Sequence, residues 1–246
     1  MKTLIAIPCF DMMHTGFVKS FCDMEKPGEV AYTFIQGTMI YEARNLIANN
    51  AIKCGFDRVL WLDSDMIIPR DAMTRLAADM DTGLDFVTAL YFKRKPPINP
   101  VLCDNVRWFV HPDGNVETGA TSFTGYPRDT LFECAGAGFG CVMTSVDLLK
   151  QVVETYGSPF TPMMGIGEDL AFCWRVARLG GKMYCDSRIK CGHIGQYVFD
   201  EKDFEWGQSM IDRERVIQGL EYLANGCGEK LCDDCQNTTH CGAVLI

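Results

Sequence analysis

Residues Val59–Met66 read VLWLDSDM: four apolar residues lead directly into two carboxylates, Asp63 and Asp65, which are separated by one residue. A short apolar run bounded by polar residues predicts a buried strand, here Arg58–Leu62. Charged groups are costly to bury unless they are paired or bind a cation. Open α/β sheets bind their ligands at the carboxyl ends of the strands. Two acids at such an end therefore predict a divalent metal that carries a phosphate-bearing substrate.

Strand and helix patterns alternate on both sides of this stretch through about residue 90. Apolar and β-branched runs predict strands at Leu4–Ile7, Val30–Ile35 and Phe86–Leu90. Apolar residues at helical spacing predict helices at Tyr41–Cys54 and Asp71–Met80. Because strands that alternate with helices form parallel sheets covered on both faces, this region predicts a mostly parallel, Rossmann-like α/β sheet.

The second half of the chain changes character. Residues Lys93–Arg128 are rich in proline and contain the turn pair Asp113-Gly114, which predicts a smaller antiparallel or looped portion. Further elements follow in order: the Gly-rich segment Cys134–Gly140, a helix capped by Ser145, a helix from Glu168 to Gly180, a strand Lys182–Cys185 and a helix Phe204–Leu223. The last residues are rich in glycine, cysteine and polar side chains. We therefore expect one α/β domain over residues 1–225 and a Cys-rich tail over residues 226–246.

The Gly-rich segment Cys134–Gly140 fits two interpretations. It lacks the Lys-Ser/Thr of a Walker loop and a full G-x-G-x-x-G between strand and helix. Small residues there form either a tight turn in the sheet or a backbone surface that a ligand can approach closely.

The composition excludes some classes of function. The formal net charge of −9 over 246 residues argues against a protein that follows a nucleic-acid backbone, which needs a basic face. A local basic cluster, Lys93-Arg94-Lys95, fits a solvated loop or a phosphate contact. No apolar run approaches the ~20 residues of a transmembrane helix, and the first apolar segment is too short for a signal peptide. Thirteen scattered cysteines without an export signal indicate reduced thiols and a cytoplasmic protein.

Two polar features downstream of Asp63 and Asp65 can complete a site. A histidine taken alone is more often a packed or surface residue than a ligand, but beside the paired acids His193 becomes a candidate third metal ligand. Mixed carboxylate and imidazole ligation suits Mn²⁺ as well as Mg²⁺. Glu168 and Asp169 begin a helix, where acids favour the positive N-terminus, and a carboxylate there can also hold or deprotonate an acceptor hydroxyl.

The cysteines of the tail allow a separate hypothesis. Cys227, Cys232 and Cys235, followed by His240 and Cys241, can hold one Zn²⁺ through thiolates. Cys232 and Cys235 have a suitable spacing, but no second well-spaced pair completes the set. The alternative is a flexible tail that contains cysteines.

In their order and spacing, these motifs resemble those of nucleotide-sugar-dependent glycosyltransferases of the GT-A fold, in particular family-2-like enzymes. The matching elements are the strand that ends at Pro8, Asp63-Ser64-Asp65, the Gly-rich segment, Gly167-Glu168-Asp169-x-x-Phe172-Cys173-x-Arg175 and Gly192-His193-x-Gly195. The likeness covers residues 1 to about 200. One departure is the start, which usually reads Pro-x-Tyr-Asn and here reads Pro8-Cys9-Phe10-Asp11.

The resemblance implies a role for each matching residue. Asp65 would coordinate the metal directly, Asp63 would contact the ribose or the metal through water, and His193 would be a further metal ligand. Asp169 would be the catalytic base of an inverting enzyme, with Glu168 beside it shaping the acceptor site. The remaining contacts implied for the nucleotide are Pro8, Cys9 and Asp11 at the base, and Arg44 and Asn45 at the nucleotide or its diphosphate.

The sequence therefore predicts a hexosyltransferase-type enzyme that uses Mn²⁺ or Mg²⁺ and moves a sugar from a UDP- or GDP-sugar to a hydroxyl acceptor. Inversion is favoured, although some GT-A enzymes with similar motifs retain the anomeric configuration. Two alternatives stay open. A nucleotidyltransferase would carry a Gly-rich, Lys/Arg-bearing loop after the first strand, which residues 9–20 lack. A nucleotide- or glycan-binding module would bind a donor without turnover.

Overall fold

The computed structural model describes residues 1–195 and 198–226. Internal contacts divide the chain into one unit, Met1–Phe204, and a second unit that begins at Glu205. The strands are β1 (Lys2–Pro8), β2 (Glu29–Ile35), β3 (Arg58–Leu62), β4 (Met66–Ile67), β5 (Phe86–Leu90), β6 (Leu102–Val110), β7 (Val116–Ser122), β8 (Leu131–Cys134), β9 (Gly136–Ala137), β10 (Cys141–Ser145), β11 (Met183–Lys190), β12 (Gly192–Ile194) and β13 (Val198–Phe199). The helices are α1 (Thr15–Asp23), α2 (Ile40–Lys53), α3 (Ala72–Met80), α4 (Val146–Tyr156), α5 (Glu168–Arg178) and α6 (Glu201–Gly226).

A seven-stranded sheet in the order β2-β1-β3-β10-β5-β11-β8 forms the centre of the first unit. Strands β1, β2, β3, β5 and β11 run in one direction, and β8 and β10 run in the other. The sheet is therefore mixed, where the sequence predicted a mostly parallel one. Strand β10 is reversed because it begins where β3 ends: the Asp63 amide donates to the Gly140 carbonyl at 3.1 Å.

The central strands are apolar throughout because helices cover both faces of the sheet. Alternate residues of β3 belong to different hydrophobic clusters: Val59 and Trp61 lie on one face, and Leu60 and Leu62 on the other. The first face packs against apolar residues of α2 and α4, and the second against residues of α1 and α3. This arrangement explains why β3 reads as a continuous apolar run and not as an alternating one.

Several predicted elements are confirmed. The strands Arg58–Leu62 and Phe86–Leu90 have the predicted bounds. The Asp113-Gly114 turn joins β6 to β7 as an antiparallel hairpin. Ser145 caps α4, since its Oγ accepts from the Leu148 amide at 3.0 Å.

Other elements differ from the prediction. The prediction did not include α1, in which Phe17 is the fully buried residue. Strand β11 continues to Lys190, well past the predicted end at Cys185.

Two smaller sheets flank the large one. Strands β13, β12 and β4 form one of them, and β7, β6 and β9 form the other. The first contains or adjoins two residues of the predicted site, because β4 follows Asp65 and β12 contains His193. Its register pairs His193 with Met66 and so joins two segments far apart in the chain.

Some predictions fall beyond this description. The Cys-rich tail and its zinc hypothesis lie outside the described residues from residue 227 onward. Within the described part of the chain, none of the helices combines the length and the apolar character that crossing a bilayer requires.

Candidate active site

A cleft of about 560 Å³ opens beyond the carboxyl ends of β3 and β5. Six residues predicted from the sequence line it: Arg44, Asp63, Asp65, Glu168, Asp169 and His193. The basic residues Lys93, Arg94 and Lys95 also line it. A larger cleft of about 660 Å³ lies against α1 and β4, but none of the predicted residues lines that one. The tertiary structure thus gathers most of the predicted site in one place.

Asp65 and His193 meet at one edge of this cleft. The Nδ1 of His193 lies 2.7 Å from the Phe92 carbonyl, which can only accept, so Nδ1 carries the hydrogen. In the neutral imidazole, Nε2 then has a free lone pair, and it lies 3.7 Å from Oδ2 of Asp65. Two acceptor atoms that face each other at this distance repel unless a cation lies between them. The pair is therefore suited to hold a cation.

Arg94 binds the same carboxylate. Its Nη1 lies 2.7 Å from Asp65 Oδ2 and also donates to the Ile194 carbonyl at 3.2 Å. Loss of hydration opposes ionisation of Asp65, but the hydrogen bond and charge of His193 in its protonated form, together with the charge of Arg94, outweigh it. The pKa of Asp65 is therefore lowered, and this carboxyl stays ionised across the physiological range.

Asp63 points away from this pair and towards Arg44. The guanidinium of Arg44 lies between two carboxylates, with Nη2 at 2.7 Å from Asp63 Oδ1 and Nη1 at 2.6 Å from Glu168 Oε1. Loss of hydration raises the pKa of Asp63 to about 6 against the opposing charge of Arg44, and the charge of Asp65 adds to the rise. Arg44 itself is only 2% exposed, and its own pKa rises because the carboxylates outweigh its burial.

Glu168 and Asp169 open α5, but they have different partners. Glu168 is held by Arg44, whereas Asp169 makes no ion pair within 4.0 Å among the described residues. Its Oδ1 accepts from the Leu170 amide at 2.7 Å, as expected at a helix N-terminus. Burial, and then the charge of Glu168, raise the pKa of Asp169. Of the two carboxylates, Asp169 is the one free to take a proton.

The remaining predicted residues are not among those that line the cleft. Cys9 is buried after β1 and donates its amide to the Ile35 carbonyl, and Asp11 is exposed in the loop that follows. Pro8 is the last residue of β1. Asn45 holds the backbone near α5, since its Oδ1 accepts from the Phe160 amide at 2.8 Å. Asn45 therefore positions the backbone at Phe160.

A divalent cation is the cofactor that the resemblance implies, and the donor set fits it in part. Two ligand atoms of one such ion, each about 2.1 Å from it, lie at most about 4.2 Å apart, and the 3.7 Å between Asp65 Oδ2 and His193 Nε2 is within that limit. Asp63 does not complete a set, and the described residues contain no group of three acidic, cysteine or histidine side chains placed to hold a metal. Mg²⁺ is commonly bound by one or two protein carboxylates together with substrate phosphates and water. Asp65 fits that pattern, and His193 adds an imidazole donor beside it.

Sequence reasoning missed two contributors to this geometry, Tyr91 and the Phe92 carbonyl. Buried Tyr91 accepts from the Gly140 amide at 3.1 Å through its hydroxyl, and its ring packs edge-on against His193. Aromatic residues after an apolar strand read as core, so no local pattern points to them. Arg94 did carry a signal, since its basic cluster was a candidate phosphate contact.

Comparison with known proteins supports the architecture. No family model matches the chain, and no curated protein matches it. Among solved structures, the fold is similar to that of A197 from STIV, with a TM-score of 0.59 and 16% identity over 79% of this chain and 86% of that one. At this identity the likeness shows the fold alone. It agrees with an α/β, Rossmann-like arrangement of a central sheet flanked by helices.

Proposed function

We propose that the protein is a metal-dependent glycosyltransferase that moves a sugar from a nucleoside diphosphate sugar to a hydroxyl acceptor. One observation carries this proposal: the Asp65–His193 pair shares a single cleft with Asp169. The pair is placed to hold a cation, and Asp169 is a half-buried carboxylate without an ion pair among the described residues. A cation-binding pair and a free base in one cleft are what transfer from a diphosphate leaving group to a hydroxyl requires.

The donor side of the cleft is assigned to Asp65, His193 and the basic loop. Mn²⁺ or Mg²⁺ held by Asp65 and His193 would supply Lewis-acid stabilisation of the UDP or GDP leaving group. The cations of Lys93 and Arg94 lie in the same cleft and complement the diphosphate charge. Both Nη groups of Arg44 are already paired, so Arg44 does not bind the diphosphate. Its role in the proposal is to orient Asp63 towards the ribose.

The acceptor side is assigned to α5. The acceptor oxygen attacks the anomeric carbon while the bond from that carbon to the diphosphate oxygen breaks, and Asp169 takes the hydroxyl proton. A raised pKa favours this role, because a base with a pKa nearer neutrality accepts a proton more readily. Attack from the face opposite the leaving group inverts the anomeric configuration. Glu168, fixed by Arg44, shapes the acceptor pocket.

Donor turnover tests the proposal. Incubation with a panel of UDP- and GDP-sugars and Mn²⁺ should release nucleoside diphosphate, and Asp65→Ala should abolish metal-dependent donor binding. Donor hydrolysis that continues unchanged in Asp65→Ala would refute the assignment.

The same assay separates the alternatives. Release of pyrophosphate from a nucleoside triphosphate would indicate a nucleotidyltransferase. Donor binding without any nucleotide release would indicate a binding module. NMR of the product's anomeric proton distinguishes inversion from retention.

A further inference from the structure

Arg94 and the proposed metal site converge on one atom. Asp65 Oδ2 is the oxygen that lies 2.7 Å from Arg94 Nη1 and also 3.7 Å from His193 Nε2. A divalent cation bridging the carboxylate and the imidazole would use this same oxygen. A guanidinium and a divalent ion at one oxygen repel each other, because solvent only partly screens like charges a few ångströms apart at a protein surface. The two cations therefore compete.

The side chain of Arg94 is free to leave this position. It is 46% exposed, and its other hydrogen bond is to the Ile194 carbonyl at a longer 3.2 Å. Half-exposed ion pairs are weak, because water screens the two charges and the side chains lose freedom when they pair. Arg94 also lines the cleft, as its neighbours Lys93 and Lys95 do, so its guanidinium can contact the space proposed for the diphosphate. A planar guanidinium binds phosphate oxygens in pairs, which an ammonium cannot do.

We propose that Arg94 is a donor-positioning residue that exchanges partners: a divalent cation displaces it from Asp65, and it then binds a phosphate of the donor. This inference rests on the proposed function, because it requires a metal at Asp65 and His193. The inference gives Arg94 opposite effects on metal binding and on nucleotide binding. Arg94 weakens binding of the metal alone and strengthens binding of the nucleotide once the metal is present.

Mn²⁺ binding without nucleotide tests the first effect. Isothermal titration calorimetry, with free Mn²⁺ counted by electron paramagnetic resonance, should show that Arg94→Ala binds Mn²⁺ about tenfold more tightly than the unchanged protein, because a competing charge is removed. Arg94→Lys keeps the charge and should stay within about threefold of the unchanged protein. Arg75→Ala is the matched control: Arg75 is also 46% exposed and bonds a carboxylate, Asp71, at 2.6 Å, but does not line the cleft.

UDP and GDP binding at saturating Mn²⁺ tests the second effect. Arg94→Ala should bind the nucleotide that the unchanged protein prefers about tenfold more weakly, and Arg94→Lys should fall between the two. Arg75→Ala should leave both affinities unchanged. A purely structural role for Arg94 would shift both affinities in the same direction, whereas partner exchange shifts them in opposite directions.

The outcomes separate failure of the inference from failure of the proposed function. Equal or weaker Mn²⁺ binding by Arg94→Ala, in a protein whose Mn²⁺ binding is lost in Asp65→Asn, would overturn the exchange and leave the metal site intact. Mn²⁺ binding that survives unchanged in Asp65→Asn would overturn the metal site, and the exchange with it. Absence of Mn²⁺ binding by both the unchanged protein and Arg94→Ala would do the same.

Discussion

Arg44 balances the charge of the cleft, since its guanidinium lies between Asp63 and Glu168 and is almost fully buried. Its Nε is also buried and has no hydrogen-bond partner among the described residues. Because Nε has no partner, the two ion pairs of the Nη atoms are what hold this side chain in place. The positive charge of Arg44 balances the negative charges of Asp63 and Glu168. Removal of Arg44 therefore leaves these two acids unpaired, close to other carboxylates of the cleft.

Arg44→Met should lower the free energy of unfolding by about 2–3 kcal/mol. The expected loss is smaller than the roughly 3–5 kcal/mol of a fully buried pair because both carboxylates are partly exposed. Urea denaturation measures it, and Arg75→Met, which breaks an exposed pair, should cost less than about 0.5 kcal/mol. Equal losses of unfolding free energy in Arg44→Met and Arg75→Met would contradict the charge-balancing role of Arg44.

Asp169→Asn should lower kcat by about 10²–10⁴-fold and leave the donor KM near its original value. The amide keeps the size of the side chain but cannot take the acceptor proton. Steady-state kinetics with the donor identified in the panel measure both constants. A kcat within threefold of the unchanged protein would remove Asp169 from the role of base.

At the scale of elements, a second buried acid pair lies between α3 and β11. Asp79 on α3 lies beside Asp186 on β11, and Arg188 bonds both carboxylates. Burial, followed by the charge and hydrogen bond of Asp186, raises the pKa of Asp79 from 3.8 to about 6. The Oδ2 of Asp79 has no donor partner in the described structure, which fits a protonated oxygen that donates to Asp186.

This pair predicts a stability that depends on pH. Since the folded-state pKa of Asp79 is raised, the folded protein holds a proton that the unfolded chain releases near pH 4. The stabilisation is complete below about pH 4 and is lost as the pH rises through about 6. The unchanged protein should therefore lose about 1–2 kcal/mol more than Asp79→Asn between pH 4 and pH 7, a figure reduced because solvent reaches Arg188. Urea denaturation across this range measures the difference, and parallel pH profiles would contradict the shared proton.

The pairing of β4 with β12 brings Asp65 and His193 together. It sets His193 opposite Met66, one residue after Asp65, and the Ile194 amide donates to the Asp65 carbonyl at 2.7 Å. The rim of the cleft is thus fixed by backbone hydrogen bonds. Side chains attached to a backbone that is already rigid lose little conformational entropy when a ligand binds.

At the scale of the whole molecule, a ligand that binds the cleft should stabilise the folded protein. A ligand that binds only the folded protein stabilises it by about 2.7 kcal/mol at a hundred times its dissociation constant. UDP or GDP should therefore raise the midpoint of thermal unfolding by several degrees with Mn²⁺ and by less with EDTA. Differential scanning fluorimetry measures this shift. A shift that is the same in EDTA would contradict a metal that carries the diphosphate.

The sequence by itself determined the local structure around Asp63 and Asp65. The apolar run of β3 predicted its bounds and its burial, because a strand covered on both faces must be apolar throughout. The predicted helix starts at Ser145 and Glu168 also agree with the structure, since caps and helix dipoles act within a few residues. The alternation of elements indicated the α/β class, which the likeness to A197 supports.

Only the tertiary structure decided which side chains meet. Residues two apart share a face within a strand, but β3 ends at Leu62 and the chain then turns, with the Met66 amide donating to the Asp63 carbonyl at 3.3 Å. Asp63 therefore reaches Arg44, while Asp65 reaches Arg94 and His193. These partners lie 19 to more than 100 residues away and come together through packing and strand pairing. The reversal of β10 has the same origin, since strand direction depends on where the chain re-enters the sheet, and no local pattern records that.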